Sequence, residues 1–87
     1  MPQRKARRLK GKLNVFGADI RRMRLEKGLR QNEVAVRLQL AGWDLGGDVL
    51  SLIESGQRGL TDIELVMILK VLEAGLADLG LPTRPKR

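Results

Sequence analysis

The chain has 87 residues and a mass of 9.7 kDa, the size of one small domain, and its 43% hydrophobic and 31% charged residues fit a globular protein rather than a wholly disordered one. It has no cysteine and no histidine. That removes disulfides, thiol chemistry, the usual zinc sites and every Ser-His or Cys-His catalytic arrangement, so neither metal, cofactor nor enzymatic activity is expected. Its net charge of +7 points instead to a polyanionic partner.

The charge is unevenly placed. Residues 1–12 hold six bases (Arg4, Lys5, Arg7, Arg8, Lys10 and Lys12) and no acid, and residues 81–87 hold three more. Residues 13–80 carry eight bases against ten acids, a net of −2. The pattern reads as a flexible basic arm over 1–13, a folded domain over 14–80 and a basic tail over 81–87. Basic arms suit nucleic acid, because each neutralised phosphate releases counterions; the plain alternative is that they only aid solubility. A membrane surface is disfavoured, since the arm offers only Leu9 and Leu13 for insertion. No segment has the ~20 apolar residues of a membrane span and no signal peptide is read, so a cytoplasmic protein is expected.

In the middle of the chain the apolar residues recur at helical spacing. Phe16, Ile20 and Met23 form one stripe, predicting a first helix over about Val15–Lys27 that stops at Gly28. A second helix is predicted over Gln31–Leu40, with Val34, Ala35 and Leu38 inward and Leu29 plugging the turn before it. Arg30 stands at its N-cap position without a short oxygen acceptor, so this start reads as poorly capped. The glycine-rich stretch from Ala41 to Gly47 is a loop that Trp43 and Leu45 can pin to the core. A short third helix over about Asp48–Ser55 follows, with Leu50 and Ile53 inward. Thr61-Asp62-Ile63-Glu64 has the form of a capping box and opens a fourth helix running to about Glu73. Its apolar face is wide: either the helix is fully buried, or Val66 or Met67 lies at a subunit interface. Leu76 and Leu79 fold back in a last turn. No period-two run appears. The expected class is all-α, a compact bundle of four to five short helices.

Residues 16–79 resemble the phage-repressor-like (Xre/Cro-type) helix-turn-helix domain. The matching pieces are Phe16-Gly17 with Ile20, the run from Arg24 to Gln31, Val34-Ala35 with Leu38, Ile53-Glu54-Ser55-Gly56, and Glu64-Leu65 with Leu72. The resemblance implies a lambda-repressor-like fold whose third helix enters the DNA major groove, and a homodimer that sets two such helices in successive grooves. It implies that Gln31 meets a phosphate at the start of the second helix, beside Arg30. It also implies an Arg24–Glu54 ion pair joining the first and third helices, as against two solvated side chains, and places Arg58 near a phosphate, as against a plain turn arginine.

The sequence departs from the family pattern in three ways. The turn before the third helix is about five residues longer than the common form. Base-reading positions hold Gly46, Gly47 and Asp48, with Ser51 and Leu52 one turn later, where donors such as arginine or asparagine are usual. The middle is slightly acidic. The leading expectation is a sequence-specific DNA-binding transcriptional regulator, a homodimer on double-stranded DNA. In it Arg30, Gln31, Gly46, Gly47, Asp48, Ser51, Leu52 and Arg58 meet the duplex, and Arg7, Arg8 and Lys10 follow its backbone. The alternatives are a helix-turn-helix scaffold that binds a protein partner near Leu52 and Trp43, or a non-specific nucleic-acid adaptor.

Overall fold

The stripe of Ile20 and Met23 becomes one buried side of helix α1, Gly17–Glu26, in a computed structural model that describes residues 11–80. Helices α2 (Gln31–Leu40), α3 (Val49–Glu54) and α4 (Asp62–Val71) follow, and a 3-10 turn at Leu76–Asp78 closes the described chain. Among the described residues there is no strand, and the protein is a small all-α bundle. None of the helices among the described residues is long and apolar enough to cross a membrane. Each expected helix is present, and its ends fall within two residues of the sequence reading.

The core gathers residues from all four α-helices. Ile20, Val34, Leu38, Leu50, Ile53, Ile68 and Leu72 are fully buried, and Phe16, Leu29 and Trp43 pack around them. α3 lies against α1 and α2, and α4 lies against α2. At six residues α3 is too short to persist alone, so its helicity depends on these contacts. Its closest neighbour is α1. Gly17 approaches so tightly that a Cβ there would stand 2.3 Å from the carbonyl oxygen of Ile53.

Helix ends are satisfied by different means. At α4 the capping box forms as read: Thr61 Oγ1 accepts from the Glu64 N–H at 3.1 Å, and Glu64 accepts from the Thr61 N–H at 3.1 Å. At α2 only half of such a box exists. Arg30 caps nothing, but Glu33 reaches back to accept the Arg30 N–H at 2.7 Å, so the start is better held than the N-cap residue alone suggests. Arg37 and Lys27 donate to the carbonyls of Val71 and Glu73, placing cations at the negative end of α4.

Three sequence readings need correction. Lys12 and Leu13 belong to the folded body, not to the arm: the Leu13 N–H donates to the Gly56 carbonyl at 2.8 Å and Lys12 Nζ to the Ser55 carbonyl at 3.0 Å. Leu76 does not fold back; it is 64% exposed, and Leu79 alone reaches the core. α4 is not fully buried, because Ile63 and Val66 are 70% and 52% exposed on its outer side.

Candidate nucleic-acid interface

The segment from Gly46 to Leu52 forms the candidate site, and its support comes from behind. Arg24 and Glu54 make a two-point ion pair, Nε to Oε2 at 2.7 Å and Nη2 to Oε1 at 3.0 Å, with side chains 8% and 2% exposed. Arg24 also donates from Nη1 to the Leu29 carbonyl at 2.8 Å, tying the α1–α2 turn into the same cluster. The amide of Gln31 donates to Glu54 Oε1 at 3.0 Å. One buried carboxylate thus collects donors from α1 and α2 and fixes the angle of α3 against both. Two-point geometry matters here, because a planar guanidinium fork resists rotation where a single contact would not.

The C-terminal end of α3 is held from a distance. Asn14 Nδ2 donates to the carbonyls of Ile53 (3.0 Å) and Arg58 (2.8 Å), while its Oδ1 accepts the Phe16 N–H at 2.9 Å. Together with Lys12 and Leu13, this segment satisfies carbonyls that a six-residue helix leaves open. The root of the basic N-terminal segment therefore sits on the end of α3.

On the other side α3 is uncovered. Asp48 and Ser51 are exposed, and Leu52 is 38% exposed. Asp48 stands at the N-cap position yet makes no capping hydrogen bond, so its carboxylate is not committed to the helix. Gly46 and Gly47 are exposed as well. Neither has a positive φ, and a Cβ on either would meet nothing within 4 Å. The fold itself gives no reason for glycine at these two positions.

Two expected contact residues are occupied differently from the sequence reading. Gln31 is half-buried and turns its amide inward to Glu54, leaving its backbone N–H at the start of α2. Arg58 is neither a free turn arginine nor an open phosphate ligand. Its Nη1 and Nη2 donate to Glu64 Oε1 and Oε2 at 3.0 and 3.1 Å, and its Cζ lies 5.8 Å from the centroid of the Trp43 ring. These contacts hold the Glu64 carboxyl below its ordinary range and raise the Arg58 guanidinium above its own, chiefly through their mutual hydrogen bonds. Arg30 remains exposed beside α2. Arg7, Arg8 and Lys10 lie outside the described residues. Asn14, Glu33 and the Trp43–Arg58–Glu64 cluster were missed by the sequence reading; only Glu33, three residues after an N-cap position, carried a local signal.

The described residues hold nine bases and ten acids. Their surface supplies no excess of positive charge, which belongs to the terminal segments. No group of three or more acidic side chains among the described residues could hold a metal ion. No family model matches the chain, and no curated protein or solved structure matches it either.

Proposed function

We propose that the protein is a sequence-specific DNA-binding transcriptional regulator of bacterial or phage type, acting as a homodimer with α3 presented to the major groove. The observation that carries this reading is the asymmetry of α3. The buried Arg24–Glu54–Gln31 cluster braces its inner side, while Asp48, Ser51 and Leu52 stand uncovered on the outer side. A helix that enters a groove must be rigidly aimed and bare, and both properties support the reading.

Chemistry at the leading end suits an economical form of readout. Ser51 donates or accepts, Asp48 accepts from cytosine N4, and Leu52 meets a thymine methyl. Gly46 and Gly47 let the main chain come close, and DNA shape supplies further selectivity. Affinity comes mainly from the basic arms, through counterion release. The Xre/Cro-type resemblance supports the dimer, as does the apolar outer side of α4 with Ile63 and Val66.

The test is selection of duplexes from a random pool, followed by competition with a scrambled duplex and with the protein's own promoter. The reading requires the selected duplex to bind at least about tenfold more tightly than the scrambled one at moderate salt. Equal affinity for all duplexes favours the non-specific adaptor, and no duplex binding favours a protein partner.

A further inference from the structure

Arg58 is the point where four parts of the chain meet. Its main-chain N–H donates to the Leu52 carbonyl of α3 at 3.2 Å, and its own carbonyl accepts from Asn14. Its guanidinium fork is filled by Glu64 in the first turn of α4, and Nη1 also donates to the Gly59 carbonyl at 3.0 Å. The same guanidinium lies over the Trp43 ring, its Cζ 5.8 Å from the ring centroid, in the connection between α2 and α3.

That connection spans residues 41–48 and leads directly into the exposed Gly46-Gly47-Asp48 segment. Leu45 is buried and gives it one anchor. Trp43 is only half-buried: it packs against the core, and the Arg58 guanidinium lies over its ring. The Trp43 N–H also donates to the Leu38 carbonyl at 2.9 Å and Gln39 Nε2 to the Leu45 carbonyl at 3.3 Å, which hold the main chain, whereas the Trp43 ring is held by the core and by Arg58. A loop that loses such a hold must be ordered on binding, at a cost in affinity and selectivity. A guanidinium paired two-point with a carboxylate also has little left for a phosphate. The pair is neutral in sum, and its carboxylate repels the incoming anion.

We propose that Arg58 is a positioning residue that sets sequence preference: through Trp43 it holds the 41–48 segment in the pose that meets the duplex, and it does not itself bind phosphate. This inference rests on the duplex-binding function proposed above. It departs from the phosphate contact that the family resemblance implies for this position.

The experiment compares the full-length wild type with Arg58→Ala and Arg58→Lys on the selected and scrambled duplexes across a salt series. Acrylamide quenching of Trp43, the only tryptophan, is measured in parallel without DNA. Lysine keeps the charge but lacks the planar fork, so a phosphate ligand tolerates it and a positioning residue does not. The expected result is that both variants increase Trp43 quenching and lower the preference for the selected duplex at least about fivefold, with the salt slope unchanged. A phosphate contact instead predicts that Arg58→Ala weakens both duplexes equally and reduces the slope by about 0.9, with Arg58→Lys close to wild type. That outcome, or unchanged quenching in both variants, overturns the inference. Should Arg58→Ala fail to fold, Arg58→Lys decides by the same readouts. A wild type that prefers no duplex sinks the function proposed above and this inference with it. A selective wild type whose variants keep full preference sinks this inference alone.

Discussion

Gly17 in α1 passes directly beneath Ile53 in α3, so near that a methyl group on its Cα would stand 2.3 Å from the Ile53 carbonyl oxygen and 2.8 Å from that of Glu54. Both obstacles are main chain and cannot swing aside. Gly17→Ala is therefore expected to push α1 and α3 apart and to destabilise the fold by about 2–4 kcal/mol, in the range of strong overpacking. Urea denaturation of the two proteins measures it; a change under about 0.5 kcal/mol contradicts the close approach.

Gly46 and Gly47 should behave in the opposite way. With open space around each and no left-handed backbone, alanine at either position is expected to leave stability unchanged or to raise it by about 0.4–1 kcal/mol, through a less flexible unfolded chain. Duplex affinity should fall nonetheless, because the added methyl group faces the partner. Thermal melting paired with duplex titration separates the two effects. Alanine variants that bind as tightly as wild type argue against main-chain approach to DNA.

The buried Arg24–Glu54 pair predicts an asymmetric response. Glu54→Ala leaves the Arg24 guanidinium buried without its carboxylate, and the expected loss is about 3–5 kcal/mol. Gln31→Ala removes one donor from a carboxylate that keeps two others, so its loss should be nearer 1 kcal/mol. Chemical denaturation of both variants checks the order. Equal losses mean that Gln31 matters to the cluster as much as the ion pair does.

Arg58 lowers the Glu64 pKa below its ordinary value near 4.5. A carboxylate depressed in the folded state stabilises the fold above its unfolded pKa, and that contribution fades as pH falls through the folded value. The stability difference between wild type and Glu64→Gln should thus be constant near neutral pH and shrink below about pH 4.5. Denaturation midpoints of both proteins from pH 7 to pH 3 test it. A difference that stays flat to pH 3 shows that the ionised form of Glu64 adds nothing.

Much of the helical plan was legible because the signals that make it are local. Helical periodicity, Gly28 and Gly56 beyond the ends of α1 and α3, and the Thr61–Glu64 box all act within a few residues of the backbone they control. At α4 the apolar run placed the end near Glu73, two residues past Val71, and Glu73 itself takes the left-handed conformation, with φ of 56°, although glutamate is a type that seldom marks a helix end.

By itself, then, the sequence determined the all-α class, the four helices and the segregation of positive charge to the termini, since period, turn chemistry and charge count need no knowledge of distant neighbours. Tertiary structure alone decided which groups are already committed. Arg58 is occupied by Glu64, Gln31 faces Glu54, and Asn14 satisfies carbonyls 39 and 44 residues away. It also turned Leu76 outward while burying Leu79 three residues on, and left Val66 exposed on the side of α4 away from the core. The reason is physical: a side chain's hydrogen-bonding capacity is fixed by its chemistry, but its partner is whichever group the folded chain brings within about 3 Å.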